Sequence, residues 1–438
     1  MRVIIFDLDL TLAATDDCHA YLRSKSGRRD VVAALKAGTL KVSFYGEPLV
    51  AFFNNLSEVN DCCVAVVSDS PKDYCLQVLA QGGYRIDEAL VFGSQSKPLV
   101  DQEAISNAIA QRFGIDAEDL NFLIVGDSPK DIYYAHSISV PSIFAAWGSK
   151  QSGKAHYSEP TAWADNIDDL KKHVIAFLGG NLKFEFYCFK QNYLTISPES
   201  PDFVRVELSD HEIGFGKEYV KGKHRGPQDL WASNDLFRVV KQAKNLTVSQ
   251  HNSMKGTPLY GANGLYDADP FKKKAGHFKN DFIKWCLAKK ITGNVLLIPV
   301  PPSVPRECNL THSMALMCDW WAFWINKEDH KMKVKVHDPF ERYWPKIPSH
   351  LSSGWRSMDD QFDTLGVFLA EKDKISGADF VILVDDVVTS GSHMNAVASF
   401  IRTAKLVDEA SCILGYALFK TIHIDESDDL DFSWVDKL

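Results

Sequence analysis

Five short apolar runs, Val3 to Phe6, Cys63 to Ser68, Ala89 to Phe92, Phe122 to Val125 and Ser142 to Ala145, alternate with stretches of helical periodicity between Met1 and about Leu178. A run that is apolar at nearly every position needs cover on both faces, and crossover helices give that cover to a parallel sheet. Ligands of such sheets collect at the carboxyl ends of the strands. The residues that follow each run are therefore the informative ones.

Composition narrows the rest. At 438 residues the chain exceeds what one core usually organises, and 45% hydrophobic content leaves enough apolar area to fold two or three domains. The 48 Lys and Arg against 57 Asp and Glu give a formal charge of −9, a field that repels polyanions unless a basic patch intervenes. No apolar run approaches the roughly 20 residues of a membrane span. The N-terminus enters a strand pattern that meets acids at Asp7 and Asp9, which is not the pattern of a secretory leader. Nine cysteines without a CxxC, Cys62 and Cys63 adjacent in a buried run, suit reduced thiols and a cytoplasmic protein.

The first run leads into Asp7-Leu-Asp9-Leu-Thr11, two carboxylates two residues apart on an extended chain, hence on one side of it. Acids so close repel unless a cation or proton lies between them. The second run ends in Ser68, Lys97-Pro98 adds a cation, and the fourth leads into Gly126-Asp127-Ser-Pro-Lys-Asp131. Together these suit an anion bound through a divalent metal. An aspartate attacks phosphorus only where metal and lysine charges screen the phosphate oxygens, and the aspartyl-phosphate then needs a base to activate water. In this scheme Asp7 attacks and Asp9 shuttles protons. Asp127, with Asp7 and a backbone carbonyl near Asp9, holds Mg2+; Ser68 and Lys97 grip phosphoryl oxygens; Asp131 orients Lys97 or the metal.

In order and spacing these segments resemble the four motifs of the haloacid dehalogenase superfamily, specifically its phosphoglycolate-phosphatase-like branch, over about residues 1–175. The resemblance implies an α/β Rossmannoid domain over 1–178 with a small helical cap at about 12–60, and an open site tolerant of bulky substrates. Asp9 as the second acid implies phosphatase rather than dehalogenase chemistry. Leu10 stands where many members carry glycine.

Residues 181–290 read as a linker or hood. Lys183 to Lys190 and Val204 to Leu208 alternate like strands, while Gly214 to Gly226, with Lys217, Lys221, Lys223, His224 and Arg225, reads as a solvated basic loop. Phe282 to Leu287 reads as an amphipathic helix.

Further on, an apolar run from Phe380 ends in Asp385-Asp386-Val-Val388-Thr389-Ser390-Gly391-Ser392, followed by a helical pattern from His393 to Ala404. Backbone amides around Val388 to Ser392 can point at one anion, the helix N-terminus adds partial positive charge, and Gly391 permits close approach, which together favour a phosphate monoester. Asp385 and Asp386 are placed to meet ribose hydroxyls. The lysine of a Walker loop is missing. The segment resembles the ribose-phosphate motif of type I phosphoribosyltransferases, and Asn294 to Ala315, with Pro299-Val-Pro301, resembles their competence-protein-F-like branch. This implies a phosphoribosyltransferase fold over 291–438 with an extra hood region. Asp385, Asp386, Val388, Thr389, Ser390, Gly391 and Ser392 would bind phosphoribosyl diphosphate, Pro301 and Arg306 the pyrophosphate, and Arg342, Lys346, His350 and Arg356 would lie on a mobile loop. Glu307-Cys-Asn309 stands where the branch usually carries a basic stretch.

The expectation is a bifunctional enzyme. One domain hydrolyses a phosphorylated small molecule with Mg2+; the other moves a phosphoribosyl group between phosphoribosyl diphosphate and a nitrogenous base or nucleotide. One alternative makes the second domain a nucleotide sensor. Another, nucleic-acid end processing, would use the lysines at 217–223 and 272–274, and the net negative charge opposes it. Homo-oligomerisation is left open.

Overall fold

In a computed structural model, which describes residues 1–22, 25–185, 189–220, 260–261, 264–265, 269–309, 312–328, 330–345 and 357–422, the first apolar run becomes strand β1 (Arg2–Phe6). It lies centrally in a sheet with β2 (Cys62–Val67), β3 (Val91–Phe92), β4 (Asn121–Gly126), β5 (Ser142–Ala145) and β6 (Ala162–Ala164). The spatial order is β3-β2-β1-β4-β5-β6, and every pairing is parallel. The order in which strands are added reverses between β1 and β4, so a crevice opens at their carboxyl ends.

Period-two alternation sends one set of side chains to each face. Ile4, Phe6, Val64, Val66, Leu123 and Val125 join a cluster with helices α2 (Glu47–Leu56), α3 (Lys72–Gly82) and α6 (Ile167–Leu178). Val3, Ile5, Cys63, Ala65, Phe122 and Ile124 pack with α4 (Gln102–Phe113) and α5 (Pro129–Ser137). Helix ends follow local chemistry: the Asp101 side chain accepts the Ala104 amide to open α4, and Gly114 closes it in the left-handed conformation. The run expected to start at Ala89 begins instead as a 3-10 turn capped by Asp87, which shortens β3 to Val91–Phe92. Within residues 12–60, Val31 and Leu35 of α1 (Lys25–Lys36) and Leu49 and Phe53 of α2 share the sheet's own apolar cluster.

The chain divides into two units, Met1–Cys188 with Trp344–Ile347 and Phe189–Tyr343 with Pro348–Leu438. The second unit is built on another parallel sheet, β7 (Ile213–Val220), β8 (Gly293–Pro299), β9 (Met332–Val336), β10 (Phe380–Val388) and β11 (Cys412–Ile422), in the order β7-β11-β10-β8-β9. Its switch point falls between β8 and β10. One face is covered by α7 (Asp269–Ala288) and α8 (Ser313–Lys327), where Phe282 stacks on Trp321 with ring centroids 4.8 Å apart. The other carries α9 (Ser392–Thr403) and a three-stranded antiparallel ribbon of Tyr193–Leu194, Leu365–Phe368 and Phe340–Arg342. Among the described residues no helix is long and apolar enough to cross a membrane.

Two expectations are corrected. The described start of the supposed basic loop, Lys217 included, is edge strand β7, which pairs with β11 from Ile213 to Val220; residues 221–259 lie outside the described residues. Val204 to Leu208 forms no strand in spite of its alternation, and residues 183–185 form none either. The amides of Val204, Val206 and Leu208 donate instead to Thr403 Oγ1 (3.0 Å), Ser399 Oγ (2.8 Å) and Asn395 Oδ1 (3.0 Å), side chains four apart on α9. The match is metric: two extended residues advance about 6.6 Å and four helical residues about 6.0 Å. A period of two is satisfied by a helix edge lined with polar side chains.

Ser399 is fully buried, and its hydroxyl also donates to the Val206 carbonyl at 3.3 Å. Ser399→Ala leaves both Val206 groups without that partner and is expected to cost about 1–3 kcal/mol. Urea unfolding checks this, with faster exchange of the Val206 amide as the local signature.

Candidate functional site

At the carboxyl edge of the first sheet, Asp7 follows β1 and Asp127 follows β4, the two strands that flank the switch point. The Asp7 amide donates to the Val125 carbonyl at 2.8 Å, which locks the two exits together. Asp131 reaches the same point from the first turn of α5, held by a capping box in which its Oδ2 accepts the Ser128 amide (3.1 Å) and hydroxyl (2.6 Å). Space for Asp131 exists because residue 126 is glycine: a Cβ there would stand 2.2–2.5 Å from the Asp131 carboxyl group. Gly148 has the corresponding role for the loop after Asp7, since a Cβ there would meet the Leu10 carbonyl oxygen at 1.8 Å. Leu10 itself is left-handed, with φ of 63°, a conformation that costs a non-glycine residue about 1–3 kcal/mol.

Lys97 is only 8% exposed, and its Nζ lies 2.6 Å from Asp7 Oδ1 and 2.5 Å from Asp131 Oδ1. Its amide donates to Asp69 Oδ1 at 2.9 Å, and Asp69 Oδ2 pairs with Lys130 at 3.2 Å. Burial opposes the lysine's charge, but Asp131 and Asp7 outweigh it and raise its pKa. Burial raises Asp7 well above the usual carboxylate range against the pull of Lys97, with Asp131 and Asp9 adding to the rise. Burial followed by repulsion from Asp7 and Asp131 does the same to Asp127. Three buried carboxylates thus face one buried ammonium.

Asp7, Asp127 and Asp131 each bring an oxygen within 4.8 Å of the others, a hard donor set that fits Mg2+. Asp131 is already engaged by Lys97 and Ser128, which leaves Asp7 and Asp127 as the side chains best placed to hold the ion. Thr11 Oγ1 lies 3.4 Å from Asp127 Oδ1, and Ser149 donates to the Asp127 carbonyl at 2.6 Å.

The Asp9 carboxylate is placed differently. Its Oδ2 accepts from Ser70 Oγ (2.6 Å), with Ser68 Oγ at 3.4 Å, and its Oδ1 accepts from Tyr74 OH (2.8 Å). Sequence reasoning missed Ser70 and Tyr74. The available signal was spacing: Ser70 lies two residues beyond Ser68 as the chain leaves β2, and Tyr74 one helical turn later.

In the second unit Asp385 and Asp386 lie near the carboxyl end of β10, the Asp386 amide donating to Asp385 Oδ1 and the Val387 amide to Asp386 Oδ1, both at 2.8 Å. Val388 is buried at the strand's end, and the exposed Thr389 and Ser390 follow it. Thr389 Oγ1 lies 3.1 Å from Thr421 Oγ1, and Ser390 Oγ 2.9 Å from Ser392 Oγ. Gly391, φ 77°, caps α9, and a Cβ on it would approach Ile213 to 3.1 Å. Burial first, then Asp386, raises Asp385 well above the carboxylate range.

Of the residues expected to meet pyrophosphate or to lie on the mobile loop, Pro301, Arg306 and Arg342 are described. Pro301 is buried just past β8. Arg306 pairs with Asp338 at 2.8 Å and Glu341 at 3.1 Å and donates to the carbonyls of Asp338 and Phe340. Arg342, expected on the mobile loop, ends a ribbon strand at 1% exposure. Lys346, His350 and Arg356 lie outside the described residues, as do the lysines at 221 and 223.

No protein-family model matches the chain, and no curated protein matches it. Solved structures similar to its N-terminal part include a hydrolase from Pseudomonas syringae (14% identity, 40% of this chain, 98% of that one, TM-score 0.32). A haloacid dehalogenase-like family hydrolase from Streptococcus pneumoniae matches at 14% identity (40% and 97%, TM-score 0.28). CbbY from Rhodobacter sphaeroides in complex with phosphate matches at 13% (37% and 93%, TM-score 0.28).

Removing the one ammonium exposes the charge imbalance. Lys97→Met in metal-free buffer is expected to lose about 3–5 kcal/mol of stability, and Mg2+ to restore part of it by supplying positive charge to the same carboxylates. Denaturant titrations with and without Mg2+ check this; equal losses in both would show that lysine and metal do not answer the same charge.

Proposed function

We propose that the first unit is a Mg2+-dependent phosphomonoesterase working through an aspartyl-phosphate. The observation that carries this reading is Lys97 buried between Asp7 and Asp131 at the switch point, beside Asp127. Asp7 attacks phosphorus and Asp127 shares the metal with it. The ion, when bound, supplies charge that screens the phosphoryl oxygens. Lys97 shields Asp7 from the incoming anion and meets an equatorial oxygen; Asp131 holds Lys97 in place. Ser68, at the end of β2, is the hydroxyl donor to the phosphoryl group. Asp9 protonates the leaving oxygen and later activates water, once its carboxylate exchanges Ser70 and Tyr74 for the reacting groups.

The second unit is proposed to bind the 5-phosphate of a ribose through Val388 to Ser392 and the sugar hydroxyls through Asp385 and Asp386. Transfer from phosphoribosyl diphosphate to a nitrogenous base is the reading drawn from sequence. The pairing of Arg306 with Asp338 and Glu341, and the burial of Arg342, favour the second reading, a domain that binds a nucleotide without transferring its ribosyl group.

Asp7→Asn is expected to abolish Mg2+-dependent phosphate release. Asp9→Asn is expected to slow the first step, release of the leaving group, by about 10^2- to 10^4-fold for alkyl phosphates and much less for p-nitrophenyl phosphate, whose leaving group needs no proton. Single-turnover assays of leaving-group release with both substrate types test this, and equal losses on both would remove Asp9 from the acid role.

For the second unit, calorimetry with nucleoside monophosphates is expected to show binding that Asp385→Asn weakens, with no pyrophosphate released from phosphoribosyl diphosphate across a panel of bases. Pyrophosphate release lost in Asp385→Asn would restore the transferase reading.

A further inference from the structure

We infer that Arg342 is a positioning residue that acts through His393 to set Asp385 as the acceptor of a ribose hydroxyl, an inference resting on the reading of residues 385–392 as a ribose 5-phosphate cradle. A guanidinium is seldom fully buried unless it is paired, and this one has an unusual set of partners. Nη1 donates to the Gln361 carbonyl (2.8 Å) and Thr364 Oγ1 (2.7 Å); Nη2 donates to Gln361 Oε1 (2.6 Å) and His393 Nε2 (2.6 Å). None of these acceptors is a carboxylate.

The histidine contact fixes a proton. A guanidinium has no lone pair to offer, and although burial lowers the pKa of Arg342 to about 10, it remains charged at neutral pH. His393 Nε2 must therefore be the acceptor. The ring is then neutral with its proton on Nδ1, the atom that lies 3.8 Å from Asp385 Oδ2. An N–H dipole, polarised by the arginine behind it, acts on one oxygen of Asp385, while the other accepts the Asp386 amide at 2.8 Å. Burial and Asp386 press Asp385 toward its protonated form, and the Arg342 charge opposes them. The Asp385 carboxyl group thus receives the Asp386 amide on one oxygen and faces the His393 N–H with the other, 3.8 Å away, and His393 is about a quarter exposed. Such a carboxylate selects a sugar that brings a hydroxyl donor and discriminates against one that lacks it, because a buried acceptor left unmatched is costly.

Two measurements on the full chain test this. With 15N-labelled histidine, the ring-nitrogen shifts of His393, assigned by their loss in His393→Gln, are expected to show a neutral ring protonated at Nδ1 only. Protonation at Nε2, or at both nitrogens, overturns the proposal. Calorimetry then compares ribose 5-phosphate with 2-deoxyribose 5-phosphate. His393→Leu is expected to reduce the wild-type preference for the ribose compound by roughly tenfold, whereas His393→Gln, whose amide can accept from Arg342 and donate to Asp385, keeps most of it. An unchanged preference in His393→Leu overturns the proposal even if the fold is intact. Binding of neither compound by the wild type overturns the cradle reading and this role with it; the nitrogen pattern then shows whether the Arg342 contact or the cradle has failed. Arg342→Met is the less informative variant, because losing the Gln361 and Thr364 bonds can unfold the ribbon.

Discussion

A lysine ammonium buried between two carboxylates, with a third at the same strand exit, sets the terms for the first unit. Withdrawing charges from water costs several kcal/mol each, and a buried pair recovers this only with near-ideal geometry and further hydrogen bonds. The fold supplies that geometry to Asp131, whose oxygens are committed to Lys97, the Ser128 amide and the Ser128 hydroxyl. It supplies less to Asp7 and Asp127, and burial accordingly drives both toward protonation. The shortfall of positive charge is one that a bound divalent cation would make good. Gly126 belongs to the same geometry, because a Cβ there would stand 2.2–2.5 Å from the Asp131 side chain and push it off Lys97.

The second unit places its proposed anion loop at an equivalent point of its own sheet. Both sheets are parallel and both reverse order beside the informative strand, so each leaves a crevice where loops from neighbouring strands meet. In the first unit, cationic charge at the crevice comes from a side chain. In the second, Arg306 and Arg342 are both turned inward onto the protein, and the proposed anion site would rely on the backbone amides at the start of α9. Guanidinium suits the inward role because its fixed fork satisfies several neutral oxygens at once, as Gln361 and Thr364 show; a lysine could not span them.

How far the sequence discloses these sites depends on the kind of signal each residue leaves. Asp7, Ser68 and Asp127 stand at the ends of runs whose apolarity already marks them as central strands, so position along the chain is nearly position in the site. Ser70 and Tyr74 leave no such mark: a hydroxyl after a strand is ordinary, and a tyrosine at helical spacing reads as core, which by burial it also is. Asp9 was legible as an acid beside Asp7 but not as an acid held by those hydroxyls. Arg342 misleads for the opposite reason. A cation between two phosphate-type motifs looks like a lid, and its burial depends on Gln361, Thr364 and His393, partners that only tertiary contact brings to it.

The stretch around Val204 to Leu208 carries that point furthest. Its alternation reads as a strand in a linker, and the period is real, but the partner that satisfies it is the polar edge of α9. Phe203 packs edge-on to Phe362 with centroids 5.4 Å apart, Arg205 pairs with Asp359 at 2.7 Å, and Ile213 crowds Gly391. A helix can aim its first amides at a phosphate only if its axis and roll are fixed, because a small rotation swings the N-terminal turn away from a common point. Three backbone bonds at Asn395, Ser399 and Thr403, spaced along one side of α9, oppose that rotation over most of the helix length. What the sequence presents as a connection between domains is, in physical terms, part of the mounting of α9 and of the loop proposed to bind an anion.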